Sequence, residues 1–179
     1  MTTILGMKSN KNVAGKASND VIIDYASGDK IMNQCLQPLV DILKKEHCKE
    51  KNLPFTDEIA LNLDDVEKLK KTGVTGSKMM NTVDMVIGLY KNRLLMVEIK
   101  LDCKSVKDIP KDICDKISHS RDLLIENPKF VTFENKIPVL IKNDNFEQNK
   151  RRLKNYLMGK NKDIEPYTVN GFYSTFFKI

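Results

Sequence analysis

Two runs of apolar residues, separated by a short polar segment, predict an antiparallel hairpin near the middle of the chain. The runs are Met85 to Leu89 and Leu94 to Ile99, and the segment Tyr90 to Arg93 between them contains one Asn and two basic residues. The second run is apolar at both even and odd positions, which is typical of a strand whose two faces are both covered. The pattern therefore predicts a central strand.

Three charged residues, Asp84, Glu98 and Lys100, fall within this hairpin, where a buried charge needs a partner, hydrogen bonds or a metal. A two-residue turn, Lys91-Asn92, would send the two carboxylates to opposite faces of the sheet. A three-residue turn with Asn92 in the left-handed conformation pairs Asp84 with Glu98. We expect the second register, which brings two carboxylates and one ammonium group together on one face.

The spacing of apolar residues predicts further elements on both sides of the hairpin. It predicts helices over Asp29 to Lys45 (with a kink or late start at Pro38), Asp64 to Lys71 (capped by Asp64 or Asp65), Val106 or Pro110 to Asn127 and Asn145 to Met158, and strands over Glu58 to Leu63 and Lys136 to Lys142. The last strand should lie parallel to the Glu98 strand, because a helix separates the two in sequence. The aromatic tail Gly171 to Ile179 predicts an edge strand or a dimer contact.

Together these elements predict a single α/β domain over residues 20–179, with a central mixed β-sheet flanked by helices. Residues 1–19 are small and polar and predict a flexible N-terminal arm.

The composition of the chain indicates which kind of partner it binds and where in the cell it is located. The net charge of +6 favours an anionic partner such as nucleic acid. The sequence has neither an apolar run long enough to span a membrane nor the apolar core of a signal peptide, so we expect no membrane association and a cytoplasmic location. The four cysteines show no Cys-x-x-Cys spacing, and we interpret them as reduced, mostly buried residues of a cytosolic protein.

An Asp near the start of one hairpin strand, followed by Glu-x-Lys within the other, resembles the PD-(D/E)xK nuclease superfamily, which has the restriction-endonuclease-like fold. The matching positions are Asp84 and Glu98-Ile99-Lys100, and Val83 stands where a Pro often precedes the Asp. The resemblance implies a metal-dependent endonuclease that hydrolyses phosphodiester bonds, with DNA as the expected substrate.

The chemistry of these residue types agrees with that implication. Mg²⁺ or Mn²⁺ takes oxygen ligands, which suits Asp84, Glu98 and the carbonyl group of Ile99. Lys100 would orient the attacking water or stabilise charge in the transition state. The resemblance also implies a further acid on the first helix, for which Asp41 is the candidate, with Glu46 also available.

Basic residues on two predicted helices are candidates for nucleic-acid contacts. In the resemblance, the helix after Glu-x-Lys offers a phosphate contact, and Lys116 is the candidate. The later helix carries a basic face, which is either simply solvated or binds the phosphate backbone. Its basic residues are Lys150, Arg151, Arg152 and Lys154.

Two rivals to the enzyme stay open. One is a nucleic-acid-binding or protein-binding module that keeps a nuclease-like fold without turnover. The other is an interaction protein in which Glu98 and Lys100 form an ordinary ion pair on a solvated sheet face.

Overall fold

The computed structural model describes residues 15–74, 78–103, 105–107, 109–157 and 163–178, with the backbone alone for residues 110–112. Its helices are α1 (Asn19–Ala26), α2 (Lys30–Gln34), α3 (Leu39–Lys45), α4 (Leu63–Lys71), α5 (Ile109–Ile125), α6 (Phe146–Leu157) and α7 (Val169–Phe176). Its strands are β1 (Leu36–Pro38), β2 (Ile59–Asn62), β3 (Met85–Leu89), β4 (Arg93–Lys100), β5 (Thr132–Phe133), β6 (Ile137–Ile141) and β7 (Ile164–Tyr167).

The described strands form one mixed sheet in the order β1-β2-β3-β4-β6-β7. The pairs from β1 to β4 are antiparallel, whereas β6 is parallel to β4 and β7 is parallel to β6. The short strand β5 pairs with the first residues of β4. The predicted α/β fold with a central mixed sheet and flanking helices is confirmed, as is the parallel pairing of the strand after α5 with the Glu98 strand.

The hairpin of β3 and β4 has the predicted three-residue turn. Leu89 pairs with Arg93, and both Lys91 (φ 67°) and Asn92 (φ 51°) adopt the left-handed conformation. The pairing continues along the hairpin as far as Met85 opposite Val97, so that Asp84, just before β3, is next in line with Glu98.

Both faces of β4 are buried, as expected of a central strand. On one face, Leu94 and Met96 belong to a core that includes apolar residues of α5 and α6. On the other face, Leu95, Val97 and Ile99 belong to a core that includes apolar residues of α3 and α7. Glu98 and Lys100 alternate with the second set and therefore face the α5 side.

The single helix predicted over Asp29 to Lys45 is wrong, because the chain forms α2, β1 and α3 there. Asp29 does start a helix, since its carboxylate accepts hydrogen bonds from the N–H groups of Ile31 and Met32. Pro38 has no N–H to donate to a helix, and it ends an extended segment that pairs with β2 before α3 begins at Leu39. Likewise, α4 is capped by the Asn62 side chain and not by Asp64 or Asp65.

The edge strand predicted for the tail is also wrong. Residues 169–176 form α7, which the Thr168 hydroxyl caps by accepting from the N–H of Gly171. Phe172 and Phe176 lie one helical turn apart and are both buried. Ile179 lies outside the described residues, and the dimer contact stays a prediction.

The structure also shows how far the cysteines are buried and whether any helix is long enough to cross a membrane. Cys35 is buried as expected, whereas Cys48 and Cys103 are half-buried and Cys114 is exposed. Every helix in the described parts of the chain is too short or too polar to cross a membrane.

The start of the described chain packs on the hairpin. The N–H of Ser18 donates to the carbonyl of Gly88 at 2.8 Å, and Ala17 forms a bridge with Leu89. The first fourteen residues of the predicted N-terminal arm lie outside the described residues. The α1 helix, which begins at Asn19, was not predicted.

Candidate functional site

Asp84, Glu98 and Lys100, the three residues predicted to carry chemistry, meet at one end of the hairpin. Asp84 directly precedes β3, while Glu98 and Lys100 lie at the end of β4. The α5 helix covers this end and brings Lys116 to Glu98, with 2.8 Å between Nζ and Oε1. The phosphate-contact candidate on α5 is therefore part of the same site.

The Asp84 carboxylate is buried and accepts a hydrogen bond from the main-chain N–H of Ile99. Burial and the nearby charge of Glu98 raise the pKa of Asp84 to about 8, against the opposing influence of Lys100, Lys116 and the Ile99 hydrogen bond. The ionised form of Asp84 is thus poorly compensated by the protein alone.

Glu98 is only 1% exposed and uses its two oxygens unequally. Oε1 contacts the Nζ atoms of both Lys100 and Lys116. Oε2 is buried and has no hydrogen-bond partner within the described part of the chain. A buried carboxylate oxygen without a donor is costly, and either a water molecule or a cation would satisfy it.

Lys100 is half-buried and lies between acidic groups. Burial opposes its charge, but the carboxylates of Glu98 and Asp84 outweigh burial and raise the pKa of Lys100. Its Nζ also donates to the carbonyl oxygen of Ile99 at 3.2 Å, so this carbonyl, a predicted metal ligand, accepts from an ammonium group in this structure.

A cluster of three carboxylates lies beside these residues. One oxygen each from Glu46, Asp64 and Asp84 lie within 4.8 Å of one another. Burial and the charge of Asp64 raise the pKa of Glu46. Asp64 accepts a hydrogen bond from the buried hydroxyl of Thr82, two residues before Asp84. We call Glu46, Asp64 and Asp84 the acidic cluster.

Asp41, the predicted additional acid, is not part of the acidic cluster. It is exposed on the solvent side of α3, and its Oδ1 lies 3.9 Å from the Nζ of Lys44. The buried side of α3 is formed by Leu39, Ile42 and Leu43, and Glu46 follows Ile42 by four residues, which places it on that side. This spacing is a signal that could have singled out Glu46 from the sequence.

Asp64 was not predicted as a site residue, and its sequence context explains why. It lies in the first turn of α4, where an acidic residue is common because it interacts favourably with the helix dipole. Its place in the acidic cluster depends on contacts with Thr82 and Glu46, which are distant from it in sequence.

The predicted basic residues of α6 lie mostly on the solvent side of that helix. Arg151, Arg152 and Lys154 are exposed on the helix, and the Nζ of Lys150 lies 5.5 Å from the centre of the Phe146 ring. They form a solvent-facing basic surface on the side of the sheet that α5 also covers.

The charge balance of the site is negative when every group is ionised. The acidic cluster and Glu98 contribute four carboxylates, and Lys100 and Lys116 contribute two ammonium groups. The excess of two negative charges matches one divalent cation, and the donor set consists entirely of oxygens, as Mg²⁺ and Mn²⁺ prefer. The three carboxylates of the acidic cluster therefore fit a divalent cation, whereas Glu98, a predicted metal ligand, is not one of the three.

Comparisons of the chain with protein-family models, with curated proteins and with solved structures found no match.

Proposed function

We propose that this protein is a divalent-metal-dependent endonuclease that hydrolyses phosphodiester bonds in DNA. The observation that carries the proposal is the proximity of the buried carboxylates of Asp84 and Glu98 at the end of the hairpin, where Oε1 of Glu98 contacts two lysines and Oε2 has no partner among the described residues. Carboxylates of this kind are maintained in a core at a cost in stability, which is typical of functional sites.

The acidic cluster would hold the cation, and Glu98 would complete the site with its unpaired oxygen. A bound Mg²⁺ or Mn²⁺ supplies a Lewis acid for the scissile phosphate and lowers the pKa of a coordinated water. Asp84 is central to this arrangement, because it belongs to the acidic cluster and its pKa responds to the charge of Glu98.

The two lysines would act on the phosphate. Lys100 and Lys116 both contact Oε1 of Glu98, so one carboxylate orients two ammonium groups from different elements. Both are partly shielded from water, where a positive charge stabilises a developing negative charge more strongly than at an exposed position. Lys100 would orient the attacking water or stabilise the transition state, and Lys116 would bind a non-bridging phosphate oxygen.

The order of elements supports the same proposal. The resemblance to the PD-(D/E)xK superfamily implies a helix with an acidic residue, then an antiparallel hairpin, then a helix that covers the site and a parallel strand. In this chain these elements are α3, the hairpin of β3 and β4, α5 and β6. The net charge of +6 suits an anionic substrate, and the exposed basic residues of α6 would bind its backbone. A cytoplasmic location is part of the proposal.

A second candidate function is a nucleic-acid-binding module without turnover. The observation that favours it is the direct contact of both lysines with Glu98, which already neutralises part of the site. In such a module, the lysines would bind phosphate and the carboxylates would only position them.

A cleavage assay separates the two candidates. The purified protein is incubated with labelled single-stranded and double-stranded DNA in Mn²⁺ or in EDTA, beside the Glu98→Gln and Asp41→Asn variants. The nuclease proposal expects Mn²⁺-dependent cleavage that Glu98→Gln abolishes and Asp41→Asn retains. Binding of DNA without cleavage by the wild type identifies the module instead, and cleavage that survives in Glu98→Gln would place the chemistry elsewhere.

A further inference from the structure

A surface cavity adjoins the candidate site through Lys116. It has a volume of about 480 Å³ and is lined by Lys78, Met79, Met80, Asn81, Asp115 and Lys116. Since the ammonium group of Lys116 contacts Glu98, a molecule in this cavity would be next to the residues proposed to act on the scissile phosphate.

Two methionines give the cavity an apolar wall that is open to water. Met79 is 56% exposed and Met80 is 51% exposed. Together these two side chains offer an apolar surface to a ligand, beside the ammonium groups of Lys78 and Lys116. Methionine adapts its shape to a partner, which suits a site that accepts more than one base.

The segment that carries these methionines is anchored from two helices. The buried carboxylate of Glu67 on α4 accepts the N–H of Met80 at 3.0 Å. The buried hydroxyl of Ser120 on α5 accepts the N–H of Val83 at 2.9 Å. Two buried polar side chains therefore fix this segment, and the exposure of the methionines is a feature of its ordered conformation.

We propose that this cavity binds one unstacked nucleobase of the substrate strand, next to the phosphate that is cleaved. This inference rests on the proposed nuclease function and specifies its substrate class. The methionine side chains would cover the face of the base, and Lys78 and Lys116 would contact the flanking phosphates. The amide of Asn81 and the carboxylate of Asp115 would meet the polar edge of the base.

The substrate class follows from the cost of exposing a base. In a regular duplex the base is paired and stacked, so it reaches a side cavity only after both interactions are broken. In a single strand, or at a damaged or unpaired position, that cost is small. The protein is therefore a nuclease for single-stranded or locally unpaired DNA.

The test combines a protein substitution with removal of one base. Affinities are measured in EDTA, where cleavage cannot interfere, for a labelled single strand, its matched duplex and a set of strands with one abasic position at each site in turn. The proteins are the wild type, the double variant Met79→Ala/Met80→Ala and the control Phe130→Ala. Phe130 is 86% exposed and precedes β5, which pairs with the opposite end of β4 from Glu98.

The wild type should prefer the single strand to the duplex and should lose about tenfold in affinity when the bound base is removed. The double variant should bind the intact strand about tenfold more weakly and should lose little more at that abasic position, because the same contact is already missing. Phe130→Ala should behave as the wild type. Thermal melts confirm that both variants are folded.

Equal binding of the intact strand by the double variant and the wild type would overturn the inference, as would the absence of DNA binding. Failure of the nuclease proposal is distinguishable. If the double variant and the abasic position have independent effects on affinity while Mn²⁺-dependent cleavage is intact, only the base site is rejected. If the two effects on affinity overlap as expected but no DNA is cleaved, the result supports a base site in a binding module and rejects the nuclease proposal.

Discussion

The main-chain N–H of Ile99 donates a hydrogen bond to the carboxylate of Asp84. This bond lies beyond the last main-chain pair of the hairpin, Met85 with Val97, so the next hydrogen bond between the two segments is made by a side chain. It fixes Asp84 beside the strand that carries Glu98 and Lys100. The same bond leaves Asp84 buried near a second carboxylate, which gives each substitution at this position a definite expected effect.

Asp84→Asn should stabilise the metal-free protein. The Asn oxygen can still accept the N–H of Ile99, and Asn needs no proton, whereas burial and Glu98 force Asp84 to take up a proton when the chain folds at neutral pH. We expect the free energy of unfolding at neutral pH to rise by about 1 kcal/mol, as is common when a strained functional group is replaced. Urea denaturation in EDTA measures this change, and a clear loss of stability would contradict the picture of an uncompensated Asp84.

Mn²⁺ should stabilise the wild type but not Asp84→Asn. A ligand that binds only the native state at ten times its Kd adds roughly 1.4 kcal/mol, or about 3–5 °C in Tm for a chain of this size. Glu46→Gln should also reduce the shift, because Glu46 belongs to the acidic cluster.

Asp41→Asn is the matched control for the metal experiment, since it removes one negative charge from the exposed side of the same helix. It should retain the full stabilisation by Mn²⁺. If Asp41→Asn loses the shift and Glu46→Gln keeps it, the ligand assignment made from the structure is wrong and the assignment made from the sequence is right.

Lys100→Ala should separate catalysis from binding. If Lys100 acts on the water or on charge in the transition state, its loss should lower turnover by roughly a hundredfold or more with little change in DNA affinity. In a binding module, the same substitution would instead weaken affinity modestly and reduce the salt dependence of binding by about one unit of slope.

The measurement for Lys100 is single-turnover cleavage in Mn²⁺ beside binding titrations at two salt concentrations. Lys129→Ala serves as the control, because the Nζ of Lys129 forms an ion pair at 2.5 Å with Asp24 of α1, which is not a residue of the acidic cluster. Equal loss of turnover in both lysine variants would point to a general effect of charge and would remove the specific role of Lys100.

Gly88→Ala should destabilise the fold strongly. A Cβ atom there would lie 2.5 Å from the main-chain nitrogen of Ile22 and 2.7 Å from the main-chain oxygen of Ser18. Because backbone atoms cannot move aside as a flexible side chain can, α1 would have to shift away from β3, and we expect a loss of about 3 kcal/mol. Gly15→Ala is the control, since no atom of the described residues lies within 4 Å of its added Cβ. Urea denaturation compares the two variants.

Asp29 should contribute stability that depends on pH. Burial opposes its charge, but the N–H groups of Met32 and Ile31 and the ammonium group of Lys70 outweigh burial and lower the pKa of Asp29. Its contribution is therefore present above the pKa of the unfolded chain and is lost as the pH falls through the lower, folded-state pKa. Asp29→Ala should cost about 1 kcal/mol at neutral pH through loss of the helix cap.

Asp29→Asn keeps an acceptor for the cap but cannot titrate. In urea denaturation it should lose less stability on acidification than the wild type does. A wild type and an Asp29→Asn variant with the same pH dependence would show that the carboxylate acts only as a hydrogen-bond acceptor.

The sequence was sufficient where the determining interactions are local. The register of the hairpin follows from the length of its turn and the left-handed conformation of Asn92, so the position of Asp84 beside Glu98 was predictable. The burial of both faces of β4 was likewise visible in the unbroken apolar run. These are the features that specify the centre of the candidate site.

Tertiary context decided the elements that were predicted wrongly. Between Asp29 and Lys45, the pairing of β1 with β2 outweighed the helical spacing of the apolar residues. Pro38 has no N–H and would leave a helix one hydrogen bond short, whereas the residues around it can form main-chain hydrogen bonds with β2. In the tail, aromatic residues favoured a strand, but the cap at Thr168 and the one-turn spacing of Phe172 and Phe176 stabilise α7. Asp64 joins the acidic cluster only when α3 and α4 meet.

The parallel pairing of β4 with β6 makes the candidate site a late product of folding. The hairpin closes a short loop and can form early, whereas β6 reaches β4 only after α5 has crossed the sheet, which is a larger entropic step. A nascent chain that ends before α5 contains the whole acidic cluster but not Lys116. We therefore expect an unfinished or locally unfolded chain to lack the proposed nuclease activity, which would begin only once α5 and β6 are in place.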